Sequence, residues 1–266
     1  MQLIDIGVNL TSDRFRNDRE DVVSRAREAG VETMIVTGTS ERESIAARDW
    51  AATYPGVLYA TAGVHPHGAK ECASETLATL RGLAADSGVV AIGETGLDFN
   101  RDFSPRAEQE AAFARQLELA AELGLPVFIH QRDAHQRLLA ILGEQRDRLV
   151  DAVVHCFTDT RQALHDYLDL DLHIGITGWI CDERRGRDLQ QMVKDIPADR
   201  LMIETDSPWL VPRDLRPKPE GGRNEPAFLP HVARSVAQYR GEDPQTLAAA
   251  TTATARRFFR LAPTPA

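Results

Sequence analysis

Six short segments of this 266-residue chain end in side chains that can bind a metal or move a proton. They read Asp5-Ile6-Gly7-Val8-Asn9, Gly63-Val64-His65-Pro66-His67, Gly93-Glu94-Thr95-Gly96-Leu97-Asp98, Phe128-Ile129-His130-Gln131-Arg132-Asp133, Val154-His155-Cys156-Phe157 and Ile203-Glu204-Thr205-Asp206. Each follows an apolar or β-branched run. A His or carboxylate at the end of a buried strand costs free energy unless it is paired or liganded. One such residue is commonly a hydrogen-bonded core group, but six are not explained by packing. Glu94, His130 and His155 supply one carboxylate and two imidazoles, a set that holds a divalent ion and leaves positions open for water and substrate. Asp206 could ligate an ion, accept a proton from the attacking water, or both. Glu204 stands two residues back and shares its face by strand periodicity.

The elements that must position these groups alternate in period. Strand-like runs cover Leu3–Val8, Thr33–Thr37, Val57–Val64, Val89–Glu94, Pro126–His130, Ala152–His155, His173–Thr177 and Leu201–Glu204, with amphipathic stretches between them. Ser104–Leu123 reads as a helix, with Ser104-Pro105 as its N-cap and first-turn proline and Gly124 as its end; Arg19–Ala29 ends likewise at Gly30. Eight such repeats predict an α/β fold, a (β/α)8 TIM barrel formed by residues 1–266 as a single domain. All six chemical segments then converge on the rim where active sites of this fold are assembled. The first strand is followed by no Gly-x-Gly-x-x-Gly turn, which removes a dinucleotide site. The Pro-, Gly- and Arg-rich loop Pro208–Pro226 follows the last strand and is expected to contact substrate. The tail Ala262–Ala266 is expected to be disordered.

Composition sets limits on partners. Net charge is −9, with 42% hydrophobic and 27% charged residues. An acidic chain lacks the broad basic surface that non-specific duplex binding needs. A nuclease gripping a few nucleotides through metal and several arginines is compatible with that charge. Cys72, Cys156 and Cys181 form no Cys-x-x-Cys pair, which fits a reducing cytoplasm. No basic region followed by an apolar run opens the chain and no stretch is long enough to span a bilayer, so a cytoplasmic protein without a membrane partner is expected. Cys156 reads as a small buried filler. His135, His165, His173 and His231 lie on helices or at a strand start and read as structural.

Four segments carry a resemblance: Thr61-Ala62-Gly63-Val64-His65-Pro66-His67, Ala91-Ile92-Gly93-Glu94-Thr95-Gly96-Leu97-Asp98, His155-Cys156-Phe157-Thr158 and Glu204-Thr205-Asp206-Ser207-Pro208. Together with Arg223-Asn224-Glu225-Pro226 they resemble the signatures of the TatD metal-dependent nucleases, in order, from about Ile4 to Phe258. The resemblance implies Mg²⁺- or Mn²⁺-dependent hydrolysis of DNA by a 3′–5′ exonuclease preferring single strands; the sequence leaves the choice between DNA and RNA open. It implies metal ligands at Glu94, His130 and His155, with His65, Glu204 and Asp206 in the catalytic site. The wider superfamily carries His-x-His on strand 1, where this chain has Gly7 and Asn9. That leaves one or two ions, the first position being oxygen-rich and suited to Mg²⁺ or Mn²⁺ over Zn²⁺. None of the three lysines ends a strand, so a carbamylated-lysine bridge is excluded.

Arg132 and Arg223 sit in loops after strands, where guanidinium forks could clasp phosphate, and Asn9 joins them as a candidate substrate contact. Arg184, Arg185 and Arg213 are weaker candidates of the same kind. Trp179 and Trp209 lie past strand ends, where they could stack bases or anchor loops. The rival readings are a metallohydrolase of lactones, cyclic amides or phosphoesters, and a non-catalytic metal-binding scaffold. A monomer is expected.

Overall fold

The computed structural model describes residues 1–261, so the expectation for Ala262–Ala266 lies outside the described residues. Eight parallel strands alternate with helices along the chain, the (β/α)8 barrel class that the alternating periods predict. By density of internal contacts the described residues fall into two compact units.

The first unit comprises Met1–Val36, Cys156–Arg161 and the described residues from Ile174 onward. It holds β1 (Leu3–Val8), α1 (Arg19–Glu28), β2 (Val31–Val36), most of a later strand within His173–Ile176, and the strand Leu201–Ile203. β1 pairs in parallel with β2, and His173–Ile176 pairs with Leu201–Ile203 in the register Ile174↔Leu201 and Ile176↔Ile203. The last strand also returns beside the first: Asp206 N donates to Gly7 O at 2.9 Å and Asn9 N to Ser207 O at 2.8 Å. Every residue of β1 is buried, which requires the near-continuous apolar run it carries.

The second unit comprises Thr37–His155 and Gln162–His173. It contains α2 (Glu41–Thr53), β3 (Leu58–Ala62), α3 (Ser74–Leu83), β4 (Val89–Asp98), α4 (Arg106–Leu123), β5 (Val127–Arg132), α5 (His135–Gln145), β6 (Ala152–Val154) and nearly all of α6 (Arg161–Asp169). β3, β4, β5 and β6 pair in that order, all parallel. In chain order the remaining elements are β7 (His173–Ile176), α7 (Arg187–Met192), β8 (Leu201–Ile203), α8 (Leu229–Arg240) and α9 (Pro244–Phe258), which packs on β1 and β8.

Several element boundaries differ from the sequence expectation. β4 continues through Asp98 instead of stopping at Glu94, because Gly93 and Gly96 let it run close against β5. At both glycines φ is +141°, and an added Cβ would collide with the carbonyl oxygen of Phe128 at Gly93 and of His130 at Gly96. Ser104 does not cap α4, which starts at Arg106; its buried hydroxyl donates to His67 O at 2.8 Å. The strands before His155 and Glu204 end one residue early, so both side chains stand just beyond β6 and β8. Gly124 and Gly30 do end their helices, with φ of +63° and +90°.

In the first unit, the Pro208–Pro226 loop is tied to α1 by ion pairs. Arg223 bridges Asp18 Oδ2 and Glu225 Oε1, both at 2.7 Å, and Arg25 reaches Glu225 Oε2 at 2.8 Å and Asp18 at 3.0 Å. The hydrogen bond from Arg223, outweighing the cost of partial burial, holds the Asp18 carboxyl down at about 2. A depressed carboxylate pKa contributes stability that is complete above the ordinary value and is lost as pH falls through the folded one. Asp18→Asn should therefore lower stability at pH 7 by about 1 kcal/mol, the upper end for part-exposed pairs. Urea unfolding of both proteins from neutral pH downward should show the difference narrowing only below about pH 4; a gap that stays constant into that range would contradict the linkage.

Candidate active site

The second unit gathers its four strand ends around a single carboxylate oxygen. Glu94 is 5% exposed, and its Oε1 faces His155 Nε2 at 2.8 Å, His130 Nδ1 at 2.9 Å and His65 Nε2 at 3.3 Å. Burial pushes this carboxyl up, but the His155 and His65 imidazoles and hydrogen bonds from His130 and His155 hold it well below the usual range. The ligand atoms of His65, Glu94 and His130 all lie within 4.8 Å of one another, and His155 faces the same oxygen.

Hydrogen bonding separates the roles of the three imidazoles. His65 Nδ1 accepts the backbone N–H of His67 at 3.1 Å, so in the neutral ring Nε2 carries the proton. Burial keeps His65 neutral by lowering its pKa. That leaves His65 a donor, whereas His130 Nδ1 and His155 Nε2, both turned to the same Glu94 oxygen, are nitrogens of a type that can exchange that contact for a metal. With the Glu94 carboxylate they form the two-imidazole, one-carboxylate set that suits a divalent ion with open positions, so the residues present fit a metal. Phe128 stacks on His155 with ring centres 4.6 Å apart and fixes its plane.

Asp98 ends one of the six segments but was given no role from the sequence, yet it packs against the cluster. Its Oδ2 lies 2.8 Å from His67 Nε2 and 3.3 Å from His130 Nε2, while Oδ1 accepts Asn100 N and Arg101 N. A carboxylate behind a metal-binding imidazole sets its tautomer and aim. Here it leaves Nδ1 of His130 directed at Glu94. For His130, burial lowers the pKa, but Asp98 and Glu94 outweigh it and raise the value overall. The even spacing from Glu94 to Asp98 along one strand was the signal available in the sequence.

Two buried glutamines of α4 hold the backbone beneath these side chains. Gln116 accepts Val64 N at 2.8 Å and donates to Val64 O at 3.0 Å. Gln109 accepts Asp98 N at 2.8 Å and donates to Ser104 O at 2.8 Å and Asp98 O at 3.2 Å. Neither carried a recognisable signal, since Gln is ordinary on a helix. Phe103 was also missed: it is 61% exposed, and its ring meets that of His67 at 4.7 Å.

The first unit holds the other predicted group. Glu204 is fully buried and accepts Cys156 N at 2.6 Å. Asp206 has φ of +52°, and its Oδ1 accepts Asn9 Nδ2 at 3.0 Å. Asn9, expected as a substrate contact, is thus engaged with Asp206 and with Ser207 O. Asp5 lies beneath them: its oxygens accept Thr205 N and Thr205 Oγ1, and burial pushes its carboxyl up to about 8. Arg223, the other expected phosphate contact in this unit, spends its donors on Asp18, Glu225 and Arg14 O. Arg213 likewise pairs with Glu183 at 2.9 Å. Arg132, in the second unit, is exposed at the end of β5. Burial raises the thiol pKa of Cys72, and of Cys181 to about 12, so neither is a nucleophile at neutral pH.

Removing Asp98 should test its positioning role. Asp98→Ala is expected to leave a folded protein whose affinity for Mn²⁺ falls ~10–100-fold, the range for losing an orienting carboxylate. Titration calorimetry decides: unchanged affinity would show that His130 needs no such support.

The chain matches known proteins over nearly its whole length. The family model described as TatD related DNase matches residues 4–260. Two proteins named 3′-5′ ssDNA/RNA exonuclease TatD are similar over nearly the whole chain. The one from Erwinia tasmaniensis is 56% identical over 259 residues, 97% of this chain and 100% of its own length. The one from Pantoea sp. is 55% identical over 260 residues, 98% of this chain and 100% of its own. Among solved structures, YJJV, a TatD homologue from Escherichia coli k12, has a TM-score of 0.88 at 27% identity, covering 98% of both chains. A TatD family hydrolase from Entamoeba histolytica has a TM-score of 0.85 at 26% identity, covering 97% of this chain and 98% of that one.

Proposed function

This chain belongs to the TatD-related DNase family, and on that premise we propose that it is a divalent-metal-dependent 3′–5′ exonuclease acting on single-stranded DNA, and on RNA. The observation that carries the reading is the meeting of His65, His130 and His155 on one buried Glu94 oxygen. Three imidazoles converging on one oxygen are a concentration of ligand-type nitrogens that burial of the carboxylate alone does not require. Relatives named as exonucleases over their full length favour this over a lactone or amide hydrolase and over an inert scaffold.

Glu94, His130 and His155 would hold the ion, with Mg²⁺ or Mn²⁺ favoured over Zn²⁺ because Gly7 and Asn9 stand where related enzymes carry imidazoles. One ion suffices for the set described, and a second would draw on oxygen ligands. When bound, the metal supplies positive charge against a phosphoryl oxygen and lowers the pKa of water. His65 Nε2–H donates to a non-bridging oxygen of the phosphate, its direction fixed by the His67 N–H behind it. Asp206 takes the proton of the attacking water as the new P–O bond forms and the bond to the leaving sugar oxygen breaks. Its support is the Glu204-Thr205-Asp206-Ser207-Pro208 motif and the Asn9 amide that aims its carboxylate. Glu204 contributes by fixing the Cys156 backbone. Arg132 and the exposed Phe103 ring are read as phosphate and base contacts.

The acidic chain, with no broad basic surface, should favour single strands over duplex. No helix of the described residues is long and apolar enough to cross a membrane. Residues 1–266 are read as one hydrolase domain, monomeric and cytoplasmic.

End-labelled oligonucleotides incubated with Mg²⁺, Mn²⁺ or chelator should shorten stepwise from the 3′ end only when metal is present. Full activity after exhaustive chelation would end the reading. His130→Ala and His155→Ala should weaken Mn²⁺ binding without unfolding the protein. Asp206→Asn should cut the single-turnover rate ~10²–10⁴-fold with little change in substrate affinity; rescue to near wild-type rate by excess Mn²⁺ would make Asp206 a ligand instead. Phe103→Ala should raise KM for single strands several-fold while kcat is kept, the signature of a stacking contact worth ~1–3 kcal/mol per base.

A further inference from the structure

Within the first unit a second group of metal-binding side chains stands outside the reaction just described. Cys181 ends the 3-10 turn Gly178–Cys181 after β7, Asp214 lies in the loop after β8, and His231 is in the first turn of α8. Their ligand atoms all lie within 4.8 Å of one another. His231 Nε2 faces Asp214 Oδ1 at 2.7 Å. Cys181 Sγ donates to the hydroxyl of Ser235, one helical turn after His231, at 3.3 Å. Burial is graded across the group: Cys181 is 4% exposed, the His231 side chain 24% and the Asp214 side chain 53%.

We infer that Cys181, Asp214 and His231 form a separate binding site for a thiophilic divalent ion, Zn²⁺ in type. Thiolate, imidazole and carboxylate from three different segments are the ordinary ligands of tetrahedral zinc. The sulfur separates this site from the Glu94 cluster, whose donors are oxygen and nitrogen alone and suit a harder ion. Burial of the sulfur and exposure of the carboxylate give the ion a way in from solvent by the Asp214 side, where water completes the coordination. Binding requires that the Cys181 S–H bond be broken; its proton passes to solvent as the S–metal bond forms, so uptake should release about one proton. The hydrogen bond from Cys181 to Ser235 is replaced by the metal bond. The bound ion would tie the loop after β8 to α8 through Asp214 and His231. The sequence placed His231 among structural histidines because a lone helical His gives no sign of a Cys fifty residues earlier.

Co²⁺ reads this site directly, since thiolate coordination gives a charge-transfer absorption that oxygen and nitrogen ligands do not. Full-length protein titrated with Co²⁺ should develop that band, and Zn²⁺ should abolish it by displacement. Cys181→Ser and His231→Ala should remove it or weaken Co²⁺ binding at least ~10-fold, whereas Cys156→Ser should retain it. Asp214→Ala alters an exposed side chain and is the variant least able to disturb folding; it should weaken Co²⁺ binding while each ion bound still releases about one proton. Absence of a thiolate band in the wild type, or its persistence in Cys181→Ser, would overturn the assignment. Loss of the band in Cys156→Ser would do the same. None of these readouts depends on nuclease turnover, so failure here leaves the catalytic reading standing and the reverse holds too.

Discussion

A carboxylate removed from water must be compensated where it stands, and Glu94 imposes that requirement on the unit that contains it. Three imidazoles from the ends of β3, β5 and β6 answer one oxygen, and each has its own partner behind it. His65 is set by the His67 N–H, His130 by Asp98, and His155 by the stacked Phe128 ring. A charge buried without such company would be neutralised or expelled. When those nitrogens give up their protons the same positions turn lone pairs toward a cation, so one placement of side chains serves both the structural demand and the metal-binding chemistry.

That solution is held from below by backbone, not by side-chain packing alone. Gly93 and Gly96 admit β4 so close to β5 that no Cβ fits, which sets Glu94 and His130 within hydrogen-bond reach. Gln109 and Gln116 stand seven residues apart, hence on one face of α4, and clamp the main chain at Asp98 and Val64. Ser104 completes the frame by holding His67 O. Amides buried with both ends bonded resist local opening, and that keeps the imidazoles aimed before any ion or substrate arrives.

Arg213 and Arg223 of the Pro208–Pro226 region are both paired with carboxylates of the protein. Arg223 closes the loop on Asp18 and Glu225, and Arg213 pairs with Glu183, so both guanidinium groups are spent on the protein. This accords with the chain's charge of −9: affinity for nucleic acid has to come from a few contacts at one site, not from a field over the surface. An ion at Cys181, Asp214 and His231 would brace the same loop from another side. Exonucleolytic work on a strand end needs only such local grip.

Much of this was legible without a structure. Periods of two and 3.6 follow from backbone geometry, so the eight strand–helix repeats could be read, and with them the family motifs and the set Glu94, His130 and His155. The meeting of Glu94, His130 and His155 was legible because His and Glu at buried strand ends contradict the cost of burial. Asp98 could have been read by the same parity, four residues along its strand from Glu94. Hydrogen-bond direction could not. Whether His65 ligates or donates depends on which nitrogen faces His67 N, and whether Asn9 and Arg223 reach outward depends on Asp206 and Asp18, which are distant in sequence. The same holds for Gln109, Gln116 and the company kept by His231. A side chain's type and periodic position are local properties fixed by its own segment, whereas its partner is chosen by the folded chain, which alone brings residues 200 and even 250 apart in sequence within 3 Å.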